Sequence, residues 1–166
     1  MRTLVLGGIR SGKSQWAERA IADASVAGQP VHYVATGAAP DSDAEWSARI
    51  AAHRARRPSH WSTVETVDVP TQLRSAAAFP TLVDDIGGWL TAVMDRRGAW
   101  ALRSPGSITA DVDELIDAVG AFGSPLTLVS PEVGLTLVPP TASGRRFADE
   151  LGGLNQRLAG LCDRVV

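Results

Sequence analysis

Gly7, Gly12, Lys13 and Ser14 meet the pattern G-x-x-x-x-G-K-S within Gly7-Gly8-Ile9-Arg10-Ser11-Gly12-Lys13-Ser14. The chemistry served by that spacing is the holding of a phosphate chain. Glycine lets the backbone curl until successive N–H groups face an anion, and the helix that follows adds the partial positive charge of its N-terminus. The ammonium reaches the β/γ oxygens, and the serine hydroxyl suits Mg²⁺. Lys13 is the only lysine; the other fifteen of the 16 basic side chains are arginine. The bland alternative, a glycine turn that merely starts a helix, leaves that coincidence unexplained.

A triphosphate site needs an acid for Mg²⁺ or its water, usually at the end of a neighbouring apolar strand. Thr81-Leu82-Val83-Asp84 is such a strand, and its alternation is expected to leave the Asp84 carboxylate at the tip. Asp85 competes for the role, and one of the two can instead cap the helix that follows. Asp84-Asp85-Ile86-Gly87 also spells the D-x-x-G of a switch GTPase. Such a protein reads guanine with N-K-x-D, and no second lysine exists to build it.

Arg49 to Trp61 gathers Arg49, Arg54, Arg56 and Arg57 with His53 and His60 around an expected helix end. Two readings stand side by side. One is a solvated basic face that complements the helix C-terminus. The other is an anion funnel around an imidazole that is largely neutral and nucleophilic near pH 7.

These residues need a frame. Apolar runs at Arg2–Leu6, 31–36, 62–67, 81–84 and 126–130 read as strands. Helices are expected after Gly12, over 44–57 up to Pro58, from Thr71, over 87–94, around Val112 to Phe122, and over 143–161. A loose polar connection is expected from Asp95 to Thr109. Strands alternating with helices predict an α/β fold: a mostly parallel open sheet with helices on both faces and ligands beyond the carboxyl ends of its strands.

The chain of 166 residues suits one domain over 1–166. Hydrophobic residues are 45% and charged residues 20%, with net charge −2, which argues against a disordered chain and against a basic nucleic-acid or membrane binder. A lone cysteine, Cys162, rules out an intramolecular disulfide and fits the cytoplasm. No apolar run is long enough to span a membrane. Cys162 and His32 read as packed side chains, and His60 ranks behind His53 as a nucleophile. Trp46, Trp61, Trp89 and Trp100 fit a core better than a ligand cleft.

Read in order, the glycine loop, Tyr33-Val34-Ala35-Thr36, Arg49-Ile50 to His53-Arg54 with Arg57-Pro58-Ser59-His60-Trp61, Glu132-Val133-Gly134 with Val138-Pro139, and Leu154-Asn155-Gln156-Arg157-Leu158-Ala159 resemble the bifunctional adenosylcobinamide kinase/adenosylcobinamide-phosphate guanylyltransferase family. The resemblance runs from Leu4 to Val166. It implies a P-loop fold like the recombinase-type ATPases, a homo-oligomer with a trimer favoured, Mg²⁺, and GTP and ATP as substrates. A nucleoside triphosphate would phosphorylate the aminopropanol hydroxyl of adenosylcobinamide. GTP would then give GMP to that phosphate through a phosphoramidate on His53, with Lys13 and Asp84 as further catalytic groups and Ser14 and Asp84 on the metal.

Nucleotide contacts would fall on Gly7, Gly8, Ile9, Arg10, Ser11, Gly12, Lys13 and Ser14, on Ala35, Thr36 and Gly37, on Arg54, Ala55, Arg56 and Arg57, and on Glu65 and Asp84. A carboxylate at Glu65 can accept the guanine N1–H and N2–H. Pro131, Thr136, Ala52 and Gly87 depart from the family pattern. The family also continues through a last strand, expected here to be cut short at Val165-Val166. The competing readings are another P-loop kinase of small molecules, which needs no histidine adduct, and a nucleotide-gated regulator that reports through a partner.

Overall fold

A computed structural model of the chain describes residues 1–37, 57–100, 107–135 and 138–166. In chain order the elements are β1 (Arg2–Gly7), α1 (Lys13–Asp23), β2 (His32–Ala35), β3 (Ser62–Glu65), α2 (Val69–Ser75), β4 (Thr81–Asp84), α3 (Ile86–Arg97), α4 (Thr109–Ala121), β5 (Leu126–Pro131), α5 (Ala142–Leu161) and β6 (Arg164–Val165). All the strands pair in parallel, in the order β3-β2-β4-β5-β1-β6. The α/β expectation holds.

Each central strand is apolar on both sides, as a parallel sheet covered by helices requires. Leu4, Val34, Val83 and Leu128 point to one face, where they meet Leu73, Trp89, Leu115, Leu154 and Leu158 from α2 to α5. Val5, Tyr33, Leu82 and Val129 point to the other, against Ala17 and Ile21 of α1. The period of two along each strand thus sorts its side chains between two cores. Asp84, one residue beyond Val83, falls on the α1 face.

The ends of the helices follow local chemistry. α1 begins after Gly12, which lies in the left-handed region at φ 86°, where a side chain would be strained. Asp68 caps α2 by accepting from Thr71 N at 3.3 Å, and Pro70 sits in the first turn, so this helix starts ahead of the expected Thr71. Asp85 caps α3 and Thr141 caps α5, each accepting an amide three residues on, from Gly88 and Gly144.

Two further expectations need correction. α3 runs past Met94 to Arg97, because Arg96 and Arg97 are held by Asp111 of α4 at 2.8 and 2.9 Å, and the turn out comes at Gly98, φ 60°. The polar residues from Asp95 are therefore the end of a helix as well as the start of a connection. β4 is not next to β1: β5 lies between them, so the acid strand is the second neighbour of the glycine-loop strand. After α5 the two-residue β6 pairs Thr3 with Arg164 and Leu4 with Val165 at the edge of the sheet. The helix expected over 44–57 lies outside the described residues except for Arg57.

Candidate active site

Most of the described candidate residues collect at the carboxyl ends of the strands. Between β1 and α1 the loop closes on itself: Ser11 N donates to Gly8 O at 3.3 Å, Trp16 N to Gly12 O at 2.9 Å, and Lys13 Nζ to Gly8 O at 3.1 Å. A Cβ on Gly7 would press on the Ser11 hydroxyl, which would have to turn away from the loop. Arg10 holds φ 58°, a left-handed conformation that costs a non-glycine residue about 1 kcal/mol or more and here turns the loop outward. Gly8 to Gly12 are exposed, and Ser14 is half-buried in the first turn of α1. This is the shape of an anion cradle at a helix N-terminus.

Register places the other candidates in a row. Glu65 pairs with Ala35, Ala35 with Asp84, Asp84 with Val129, and Val129 with Val5. Residues in parallel register share a face, and Val5 and Val129 identify it as the face of α1. Four inter-strand steps of about 4.8 Å make a shelf of roughly 19 Å from Glu65 to the strand that carries the glycine loop.

On that shelf Asp84 and Asp85 have different tasks. The Asp84 carboxylate accepts the Tyr33 hydroxyl through Oδ2 at 2.5 Å. Asp85 is the helix cap, accepting from Gly88 N at 2.7 Å. Burial lifts the Asp85 carboxyl above its ordinary value and the Asp84 charge adds to this, while the Gly88 and Gly87 amides and Lys13 pull it down. Thr36, almost fully buried, donates its hydroxyl to Asp85 O and accepts from Asp85 N at 3.0 Å, which joins the tip of β2 to that of β4.

Tyr33 was not among the candidates from sequence. Its hydroxyl lies well above its usual pKa, chiefly through burial and then through the charge and hydrogen bond of Asp84, with Arg57 opposing. The Arg57 guanidinium stacks 3.3 Å from the Tyr33 ring centre and donates to Thr63 Oγ1 at 2.9 Å. Arg57 thus reaches the shelf by way of Tyr33. The available signal was that Tyr33 is the only tyrosine and stands two residues before Ala35, on the same strand face.

His53, Arg54, Ala55 and Arg56 lie outside the described residues. Gly37 is exposed just past β2. His32 stacks on Phe79 at 4.7 Å, as a packed histidine does, and His60 is exposed in a turn. Trp89 is core, Trp61 packs beside Tyr33's cluster, and Trp100 stacks on Phe147. Burial pushes the Cys162 thiol up to about 11, with Asp163 adding and Arg2 opposing, so it is a poor nucleophile. Among the described residues no group of three or more His, Cys, Asp or Glu side chains forms a metal cluster. A single carboxylate with a hydroxyl is instead what Mg²⁺ held largely by phosphates and water asks of a protein.

A glycine loop between strand and helix, an acid on the same face with one strand between, and a parallel sheet define an α/β fold of the P-loop NTPase-like kind. A model of the family described as cobinamide kinase / cobinamide phosphate guanyltransferase matches residues 3–166, and the chain belongs to that family. It is 40% identical to the bifunctional adenosylcobalamin biosynthesis protein CobP of Pseudomonas aeruginosa, over 99% of this chain and 91% of that one. It is 35% identical to the bifunctional adenosylcobalamin biosynthesis protein CobU of Escherichia coli and 35% to that of Salmonella typhimurium, each over 99% of this chain and 93% of the relative.

Proposed function

We propose that this chain phosphorylates the hydroxyl of adenosylcobinamide and then transfers GMP from GTP to the resulting phosphate, giving adenosylcobinamide-GDP. The observation that carries the reading is the shelf: a phosphate cradle at β1 and two carboxylates, Asp84 and Glu65, in register on the α1 face. A nucleoside triphosphate laid along it has its phosphates at Gly7 to Ser14 and its base toward β3, where Glu65 can accept the guanine N–H groups. The family's description, cobinamide kinase / cobinamide phosphate guanyltransferase, names both half-reactions, and the relatives are called bifunctional adenosylcobalamin biosynthesis proteins.

Ser14 and Asp84 would hold Mg²⁺, whose bound charge would offset that of the phosphates during transfer. Tyr33 fixes the orientation of Asp84 through Oδ2. Lys13 and the loop amides neutralise the leaving phosphates, and Arg54 to Arg57 serve as the anion funnel. His53 attacks the α-phosphorus with its neutral nitrogen, and pyrophosphate leaves. The phosphoramidate then passes GMP to the corrinoid phosphate.

One domain spanning 1–166 would carry both steps, in a cytoplasmic homo-oligomer, with a trimer favoured. No helix among the described residues is long and apolar enough to cross a membrane.

Two labelling experiments test the reading. GTP labelled at the α-phosphate should mark the wild type with an acid-labile adduct that is lost in His53→Ala and retained in His60→Ala. Labelled γ-phosphate should appear on cobinamide. Phosphorylation without any adduct would leave a plain P-loop kinase, and the absence of both would end the proposal.

A further inference from the structure

On the far side of the sheet from α1, at the ends of β1 and β5, a cavity of about 490 Å³ opens against α5. Leu6, Val133 and Pro139 supply apolar wall, and Glu132, Arg145, Asp149, Asn155 and Gln156 supply polar groups, Glu132 being the one that follows directly on a strand end. We propose that this cavity receives the hydroxyl-bearing arm of the acceptor and that Glu132 is the general base of the phosphoryl transfer. The inference rests on the kinase half of the proposed function and names the residue that deprotonates its acceptor.

The placement of Glu132 is built rather than incidental. Its amide donates to Gly7 O at 3.1 Å, which ties it to the residue that opens the phosphate loop. One carboxylate oxygen, Oε1, accepts from Gly134 N, and the second has no hydrogen-bond partner among the described residues. The strand end before it is fixed from α5. Asn155, only 7% exposed, accepts from Ser130 Oγ at 2.6 Å and donates to Pro131 O at 3.1 Å. Buried amides with both ends engaged hold a backbone in one place.

The two acids at the end of the neighbouring β4 are committed. Asp84 accepts from Tyr33, and Asp85 caps α3. Arg145, which also lines the cavity, gives its guanidinium to the carbonyls of Pro139 and Pro140 at 2.9 Å each.

The step is a balanced transfer. The acceptor oxygen bonds to the γ-phosphorus, and the bond from that phosphorus to the β,γ-bridging oxygen breaks. The nucleoside diphosphate leaves with the electron pair, and the hydroxyl proton goes to the free oxygen of Glu132 and from there to solvent. Guanylyl transfer has no such need, because a neutral imidazole nitrogen attacks through its lone pair and the acceptor phosphate is already ionised. Glu132 therefore separates the two half-reactions.

Glu132→Gln keeps an oxygen for Gly134 N and loses the base, whereas Glu132→Ala loses both. The assays are phosphorylation of cobinamide from γ-labelled nucleotide, adduct formation from α-labelled GTP, and GMP transfer to pre-formed cobinamide phosphate. Both variants should lose about 100-fold or more in phosphorylation and stay within about threefold in the other two assays. If Glu132→Gln keeps more than about a tenth of the phosphorylation rate, the carboxylate only braces its loop and the proposal is overturned. Equal loss in all three assays overturns it as well, since Glu132 would then shape the nucleotide site. A wild type inactive in both half-reactions removes the proposed function itself, a result distinct from any loss confined to the variants.

Discussion

Removing one oxygen atom tests the geometry of the shelf. Tyr33 is 2% exposed, and its hydroxyl donates to Asp84. Tyr33→Phe keeps the ring and the stacked Arg57 and deletes only that bond. Hydrogen bonds to charged groups contribute about 1.5–3 kcal/mol, and because water can reach part of the Asp84 carboxylate the lower end applies, about 1.5–2 kcal/mol. For a chain of this size 1 kcal/mol moves Tm by about 2–4 °C, so the expected drop is roughly 3–8 °C. Urea unfolding of wild type, Tyr33→Phe, Asp84→Ala and the double variant should give a coupling of about 1 kcal/mol or more. Additivity within about 0.5 kcal/mol refutes the bond. The pH dependence is a second check. The Tyr33 pKa is raised in the folded state, so its contribution is complete below the ordinary value of about 10 and is lost as pH rises through the folded value. The gap between wild type and Tyr33→Phe should hold from about pH 6 to 9 and narrow only above about pH 10. A gap that closes between about pH 7 and 9 contradicts the buried, protonated hydroxyl.

Lys13→Ala should abolish both transfers without a loss of fold, and Lys13→Arg should not restore them, because a planar fork does not fit a cradle shaped for a point charge; transferase activity in either variant, read with labelled GTP, speaks against the phosphate site. Asp84→Asn should cut Mg²⁺-dependent turnover far more than Asp85→Asn, and the reverse order would move the metal-side role to Asp85. Asp85→Asn should leave Tm near neutral pH unchanged or slightly higher. The folded-state pKa of Asp85 is raised, so its carboxyl favours folding below the unfolded value near 4 and loses that advantage as pH rises through the folded value, while the amide keeps the cap. A loss above about 1 kcal/mol in Asp85→Asn would show that the ionised form is needed. Asp111 behaves in the opposite sense: burial raises its pKa, but bonds and charges from Arg97 and Arg96 prevail and hold it below the ordinary carboxylate value. Its contribution is present above about pH 4 and lost as pH falls through the folded value, and Asp111→Asn should cost about 1–2 kcal/mol by chemical denaturation near neutral pH.

What was legible in the sequence is what local chemistry specifies. Glycine spacing and a lone lysine marked the phosphate loop, and period-two apolar runs marked the strands. Asp84 and Asp85 divided their roles as strand tip and helix cap. Less legible was whatever depends on residues far apart in the chain. Nothing near Arg96 announces Asp111, which lengthens α3. The bond from Tyr33 to Asp84 spans 51 positions and exists only because β2 and β4 pair. Alternation of strand and helix predicts a parallel sheet without giving its order, so β5 could not be foreseen between the loop strand and the acid strand. Glu132 was visible as part of a motif, but its tie to Gly7 required that order.

The strand order also bears on how the chain is made. Among the described strands β1 pairs with β5 and β6 alone, and both follow residue 125. A ribosome therefore delivers the phosphate loop well before its supports. Until Leu126 has emerged, β1 has no neighbour to share a ladder with, and the β3-β2-β4 half ends on an open edge. β5 then acts as a keystone, closing both gaps in a single insertion and bringing the cradle within reach of Asp84. Stabilisation by bound nucleotide follows mass action on the binding-competent state. It is open only to a chain in which β5 has already been made, so in this topology bound nucleotide distinguishes a chain that carries β5 from one that lacks it.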